Sequence, residues 1–199
     1  MSLVDVATVR KALERAATDS SARTEGRHAA VASILRDSPR GAEVLLIQRA
    51  EHPEDPWSGH MAFPGGRHDA SDADLLFTAQ RETKEEVGLD LAREAVFVAR
   101  LDDTPAIARG RRLGLTIAPF VFELSGVAAS APLAPNHEVE AAIWVPVSPL
   151  LSTAHDTVKR YRYEGHDLEL PAWDVDGRIV WGLTHRMLST LLERIRQSM

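Results

Sequence analysis

Residues 65–89 read GGRHDASDADLLFTAQRETKEEVGL, and the stretch from Arg81 through Gly88, R-E-T-K-E-E-V-G, decides how the rest of the chain is read. On a helix, Glu82, Glu85 and Glu86 stand at i, i+3 and i+4 and project toward one side. Left alone, that arrangement is unfavourable. Like charges at this spacing repel by a few tenths of a kcal/mol per pair, and anions near a helix C-terminus oppose the macrodipole. A divalent cation relieves both costs, and hard carboxylate oxygens suit Mg²⁺ or Mn²⁺. Gly88 follows the acids as a helix stop.

Hydrophobic residues make up 44% of the 199, enough for a globular interior in one decorated domain. No apolar run approaches the ~20 residues of a membrane span, and the N-terminus lacks the layout of a signal peptide, so no membrane partner is expected. The chain has no cysteine, which excludes disulfides, thiolate catalysis and cysteine zinc sites. A cytoplasmic location fits. A net charge of −6 argues against a nucleic-acid partner and agrees with an acidic site that draws in an anionic ligand through metal ions.

Periodicity organises the chain. Val6, Val9, Leu13 and Ala16 mark an amphipathic helix over 5–17, followed by a small, polar linker over 18–27. Strands are expected over 28–36 and 43–49, joined by a turn at Ser38-Pro39-Arg40-Gly41. A long loop, 50–66, leads to the acidic helix at 72–87. Further strands are expected near 95–101, 115–124 and 140–147, then a hairpin over 160–181 turning at Asp176-Gly177. A helix over 183–197 carries Leu183, Met187, Leu191 and Ile195 on one face.

The segment resembles the Nudix box, G-x5-E-x7-R-E-U-x-E-E-x-G-U with U a bulky apolar residue. It matches at Gly66, Arg81, Glu82, Glu85, Glu86, Gly88 and Leu89. Thr83 takes the first apolar position, and the Gly66-to-Arg81 interval is one residue longer. Counting from Gly66 reaches Asp72, whereas counting back from Arg81 reaches Ala73, so neither Asp72 nor Asp74 is assigned as a ligand. The resemblance implies an α/β fold, the Nudix-type α/β/α sandwich with a mixed β-sheet, over 28–199 behind an N-terminal helix and linker at 1–27.

Flanking segments look like the coenzyme A diphosphatase branch of that family. They are Leu45-Leu46-x-x-Arg49-Ala50, Gly59-x-x-x-Phe63-Pro64-Gly65-Gly66, Pro135-Asn136-x-Glu138-Val139 and Val180-Trp181-Gly182-x-Thr184. The branch also tends to carry the one-residue extension of the box. The loop after Arg49 departs from its signature, with acids in Glu51-His52-Pro53-Glu54-Asp55-Pro56-Trp57-Ser58 where an Arg belongs. The resemblance implies Mg²⁺- or Mn²⁺-dependent hydrolysis of a diphosphate linkage in a small nucleotide substrate, coenzyme A or an acyl-CoA. ADP-ribose, NADH or a dinucleoside polyphosphate is the alternative substrate, and a non-catalytic nucleotide sensor is the alternative outside enzymes. By resemblance, Glu82, Glu85, Glu86 and the Gly66 carbonyl hold the metal, and Arg81 orients a box carboxylate. Glu138 is the later-loop candidate for general base. Arg49, His60 and the cluster Arg109, Arg111 and Arg112 are candidates for substrate contact, and Trp57 or Trp181 for stacking on a base. The chain is compatible with a homodimer.

Overall fold

A computed structural model of the chain describes residues 3–14, 26–53, 57–108, 111–163 and 165–199. Its centre is an eight-stranded mixed sheet. Strands β1 (Arg27–Ser38) and β7 (Arg111–Leu124) run parallel down the middle, Ala30 opposite Ala118. Around them lie β2 (Gly41–Arg49), β3 (Met61–Ala62), β4 (Gly65–Arg67), β5 (Ala95–Arg100), β6 (Thr104–Ala108) and β8 (Val139–Pro146), all in antiparallel pairs.

β1 is buried on both faces, so its apolar residues run continuously instead of alternating with polar ones. Val31 and Leu35 join one core with helices α1 (Val6–Glu14) and α5 (Gly182–Ser198). Ala30, Ala32 and Ile34 join a second core under α2 (Leu75–Val87). Two helical layers on one mixed sheet make the expected sandwich. The helix expected over 5–17 is described over Val6–Glu14, and 15–25 lie outside the described residues.

Three differences from the sequence reading have local causes. Helix α2 begins at Leu75 and not at 72, because Asp74 is extended and its carboxylate accepts the Phe77 N–H at 2.7 Å as an N-cap. Residues 50–66 contain β3 and the start of β4, strands too short to show a two-residue period. The hairpin expected over 160–181 is a three-stranded meander: β9 (Asp156–Tyr163), β10 (His166–Val175) and β11 (Arg178–Trp181). Its second turn falls at Asp176-Gly177, both with positive φ (51° and 82°), as a tight hairpin turn of the mirror-image type requires.

Candidate active site

The site forms where β4 meets α2. Strand β4 pairs with β1, Gly66 opposite Ala30, and this brings its glycine backbone against the acidic face of the helix. The Gly65 N–H donates to Glu86 Oε2 at 2.8 Å. A Cβ on Gly66 would fall inside the Glu82 carboxylate, so only glycine lets that carboxylate rest on the strand.

Glu86 is 2% exposed. Burial pushes its carboxyl up to about 8; the Gly65 hydrogen bond and the Arg49 charge oppose this, while Glu82 and Glu138 add to it. Burial also raises Glu82, against the pull of Arg81. These carboxylates therefore sit where their charge is unfavourable. Glu85 differs, 55% exposed at its side chain and paired with Arg81 at 3.1 Å.

Arg81 is the hub of the acidic face. Its guanidinium grips Asp72 through two hydrogen bonds (Nε to Oδ1 at 2.8 Å, Nη2 to Oδ2 at 3.0 Å), and it pairs with Glu82 at 3.0 Å. Asp72 also accepts from the Thr78 hydroxyl (2.9 Å) and the Asp69 N–H (3.1 Å). The Arg81 bonds hold the Asp72 carboxyl well below the usual range. The extended box thus supplies, at the position that counting from Gly66 reaches, an acid that fixes the arginine. Thr83, at the apolar box position, is fully buried and donates its hydroxyl to the Ala79 carbonyl at 2.7 Å.

The loop before β8 is stapled to the end of α2. Asn136 donates its N–H to the Glu86 carbonyl (2.9 Å), and Ala134 donates to that of Val87 (2.9 Å). These bonds satisfy carbonyls that a helix end leaves without partners. Asn136 Oδ1 accepts the Glu138 N–H at 2.8 Å, and the Glu138 carbonyl accepts the Ala50 N–H at 2.8 Å. Exposed Glu138 thereby lies close enough to Glu82 and Glu86 for its charge to raise both. Arg49 occupies the same neighbourhood, and its N–H donates to the His60 carbonyl at 3.0 Å. The His60 ring meets Trp181 edge-on at 4.9 Å.

The other candidates lie elsewhere. Arg109 is outside the described residues, as are Glu54, Asp55 and Pro56 of the loop. Arg111 and Arg112 begin β7 at the β6 hairpin; Arg112 is six positions from Ala118, about 20 Å of strand. The structure does not bring this pair's backbone to the carboxylates.

Among the described residues, no three His, Asp or Glu side chains close into a ready metal cage. The donor set nevertheless fits a hard divalent cation: two carboxylates in unfavourable burial, against a strand position that only glycine leaves open to them. A stability test follows from Glu86. Without divalent metal, its contribution to stability is complete below pH about 4.5, the carboxyl's ordinary value, and is lost as pH rises through about 8. Asp72 works in the opposite sense, its contribution lost as pH falls below 3.8. Melts in chelator should show stability falling between pH 5 and 8 by on the order of a few kcal/mol, with a flatter profile in Glu86→Gln. Identical slopes in the two proteins would contradict the assignment of this burial cost to Glu86.

A mixed sheet between helical layers, with an R-E-x-x-E-E helix docked on a Gly-Gly strand, is the architecture that the Nudix resemblance implies. Residues 26–164 match the NUDIX domain, and the chain belongs to the Nudix family. It is 33% identical over 172 residues to the human mitochondrial coenzyme A diphosphatase NUDT8, covering 83% of this chain and 69% of that protein. An uncharacterized Schizosaccharomyces pombe protein is 43% identical over 115 residues, covering 54% of this chain. The match spans a third (33%) of that longer relative. Among solved structures, a Caenorhabditis elegans Ap4A hydrolase binary complex superposes with a TM-score of 0.55 at 19% identity, over 86% of this chain and 96% of that one. At that identity the likeness supports the fold alone. Nudix hydrolases generally use divalent metals and bind small nucleotide derivatives. Among the described residues, no helix is long and apolar enough to cross a membrane.

Proposed function

We propose that this Nudix hydrolase cleaves the diphosphate of coenzyme A or an acyl-CoA, releasing 3′,5′-ADP and the (acyl-)4′-phosphopantetheine. The observation that carries the reading is the pair of carboxylates, half-buried Glu82 and buried Glu86, against the Gly65-Gly66 strand. Similarity to NUDT8 over most of the chain supports the substrate class. A cytoplasmic location is part of this proposal, whereas the human relative is by name mitochondrial.

Glu82, Glu86 and the Gly66 carbonyl, with help from Glu85, would hold Mg²⁺ or Mn²⁺. When bound, the metal supplies charge neutralisation at the diphosphate and a lowered pKa for water. The remaining work falls to the chain's own groups. Arg81, anchored on Asp72, orients the Glu82 carboxylate. Arg49 meets the diphosphate oxygens beside Glu86. Glu138, exposed at the mouth, accepts the proton of the attacking water. Arg109, Arg111 and Arg112 receive the 3′-phosphate at the far end of the nucleotide.

The decisive screen offers CoA, acetyl-CoA, ADP-ribose, NADH and Ap4A to the purified protein with Mg²⁺ or Mn²⁺ and identifies products by mass. Preference for ADP-ribose or NADH would replace the CoA reading. Dephospho-CoA should lose kcat/KM by roughly tenfold to more than a hundredfold, the cost of one charged hydrogen bond. Replacing the responsible arginine by Ala should remove that discrimination, closing a double-mutant cycle. Equal rates on both substrates would show that the 3′-phosphate is not read.

A further inference from the structure

The meander β9–β10–β11 has one face whose character no part of the carboxylate site explains. Directly opposed residues in antiparallel strands share a face. Leu168 stands opposite Tyr161, Leu170 opposite Lys159, and Ala172 between Thr157 and Trp181. The reverse face, beyond the part packed on α5, carries the exposed pairs Arg160–Glu169 and Arg162–Asp167. On the first face, Tyr161 and Trp181 are half-buried with ring centroids 5.5 Å apart. The Lys159 ammonium lies 5.8 Å from the Trp181 ring, and Leu168 is 40% exposed. An apolar strip about four residues long thus leads outward from Trp181.

The inner end of this strip is linked to the carboxylate site through His60 and Arg49. Trp181 meets His60, whose carbonyl accepts the Arg49 N–H, and the Arg49 charge is felt by Glu86. Arg178 ties the same edge down through Gln48 Oε1 at 3.3 Å. In the sheet order β3-β2-β1-β7, the meander borders β3 at one side, while Arg111 and Arg112 start β7 on the other. A substrate cleaved between them sends its two halves in opposite directions.

We propose that the Trp181–Tyr161–Leu168 strip is the subsite for the pantetheine and acyl arm of a CoA thioester. This rests on the CoA reading above. A flexible, largely apolar chain fits better than a base, because Trp181 is met by His60, Tyr161 and Lys159 and presents a wall, not an open stacking face. Lys159 at the inner end offers a donor to the arm's amide oxygens.

The test compares acetyl-, butanoyl-, hexanoyl- and octanoyl-CoA with CoA in the parent, Leu168→Asp and Tyr161→Ser. Each methylene shielded by the strip is worth up to about fourfold in affinity. Octanoyl-CoA should therefore exceed acetyl-CoA by at least about tenfold in kcat/KM, mainly through KM. That ratio should fall toward one in both variants. A chain-length ratio near one in the parent overturns the subsite while leaving CoA hydrolysis intact. A sedimentation shift in the variants with an unchanged ratio also overturns it, and makes the strip a contact between copies. S-octanoyl-pantetheine, which lacks the diphosphate, separates the two readings. If the parent hydrolyses no CoA yet this probe saturably changes tryptophan fluorescence, and Leu168→Asp abolishes the change, the strip stands and the substrate assignment falls. If CoA is not hydrolysed and the probe leaves fluorescence unchanged, both fall.

Discussion

Replacing Glu86 by Gln is expected to lower turnover by at least about a hundredfold with Mg²⁺ or Mn²⁺, while the fold survives. The substitution is nearly isosteric, and its amide oxygen can still accept the Gly65 N–H. What it removes is a negative charge held in a 2%-exposed position. That charge is unfavourable in the metal-free protein, because burial raises the carboxyl to about 8. Activity and stability should therefore move in opposite directions. In chelator at pH 8, Glu86→Gln should melt no lower than the parent; in millimolar Mg²⁺ it should forgo most of the stabilisation the parent gains by mass action. Turnover close to the parent in both Glu82→Gln and Glu86→Gln would refute the metal-site assignment. Circular dichroism on each variant separates lost chemistry from lost fold.

Much of this site could be read from the sequence because helix geometry is local. The spacing of Glu82, Glu85 and Glu86 fixes their shared side before any tertiary contact is known. What spacing cannot reveal is burial: the three acids look alike in the chain, yet Glu86 is closed in and Glu85 is turned outward onto Arg81. That division is imposed by β4 and by the 134–138 loop, neither of which has a periodic signature. Asp72 was obscured for a different reason. The extra residue in the box breaks the count, and only the fold brings Asp72 back to Arg81 across the turn that precedes Asp74. The central strands were legible from their apolar runs. In β9, however, charged residues line one face, and a polar alternation of that kind is hard to tell from a loop. The exposed strip on its other face emerges only from strand register.

The two neighbouring glycines should give opposite phenotypes, a sharper test of the cradle than either substitution alone. Gly65 has φ of 150°, and a Cβ there would collide with the Ala30 carbonyl and the Val31 backbone. Backbone cannot step aside cheaply, so Gly65→Ala should cost more than about 2 kcal/mol of stability and lower the melting temperature with or without metal. Gly66 is free of that conformational constraint, and the nearest atoms its Cβ would meet are those of the Glu82 carboxylate. That carboxylate ends a flexible side chain and can swing away, leaving stability within about 1 kcal/mol of the parent. Its displacement should still reduce turnover on the order of a hundredfold, because a carboxylate moved off the strand no longer shares a cation with Glu86. Metal titrations read the same event without catalysis: the melting-temperature gain in Mn²⁺ should shrink in Gly66→Ala and persist in whatever Gly65→Ala protein remains folded. A Gly66→Ala protein with parental turnover and a parental response to metal would show that the close approach of Glu82 to β4 is packing without a role in the chemistry.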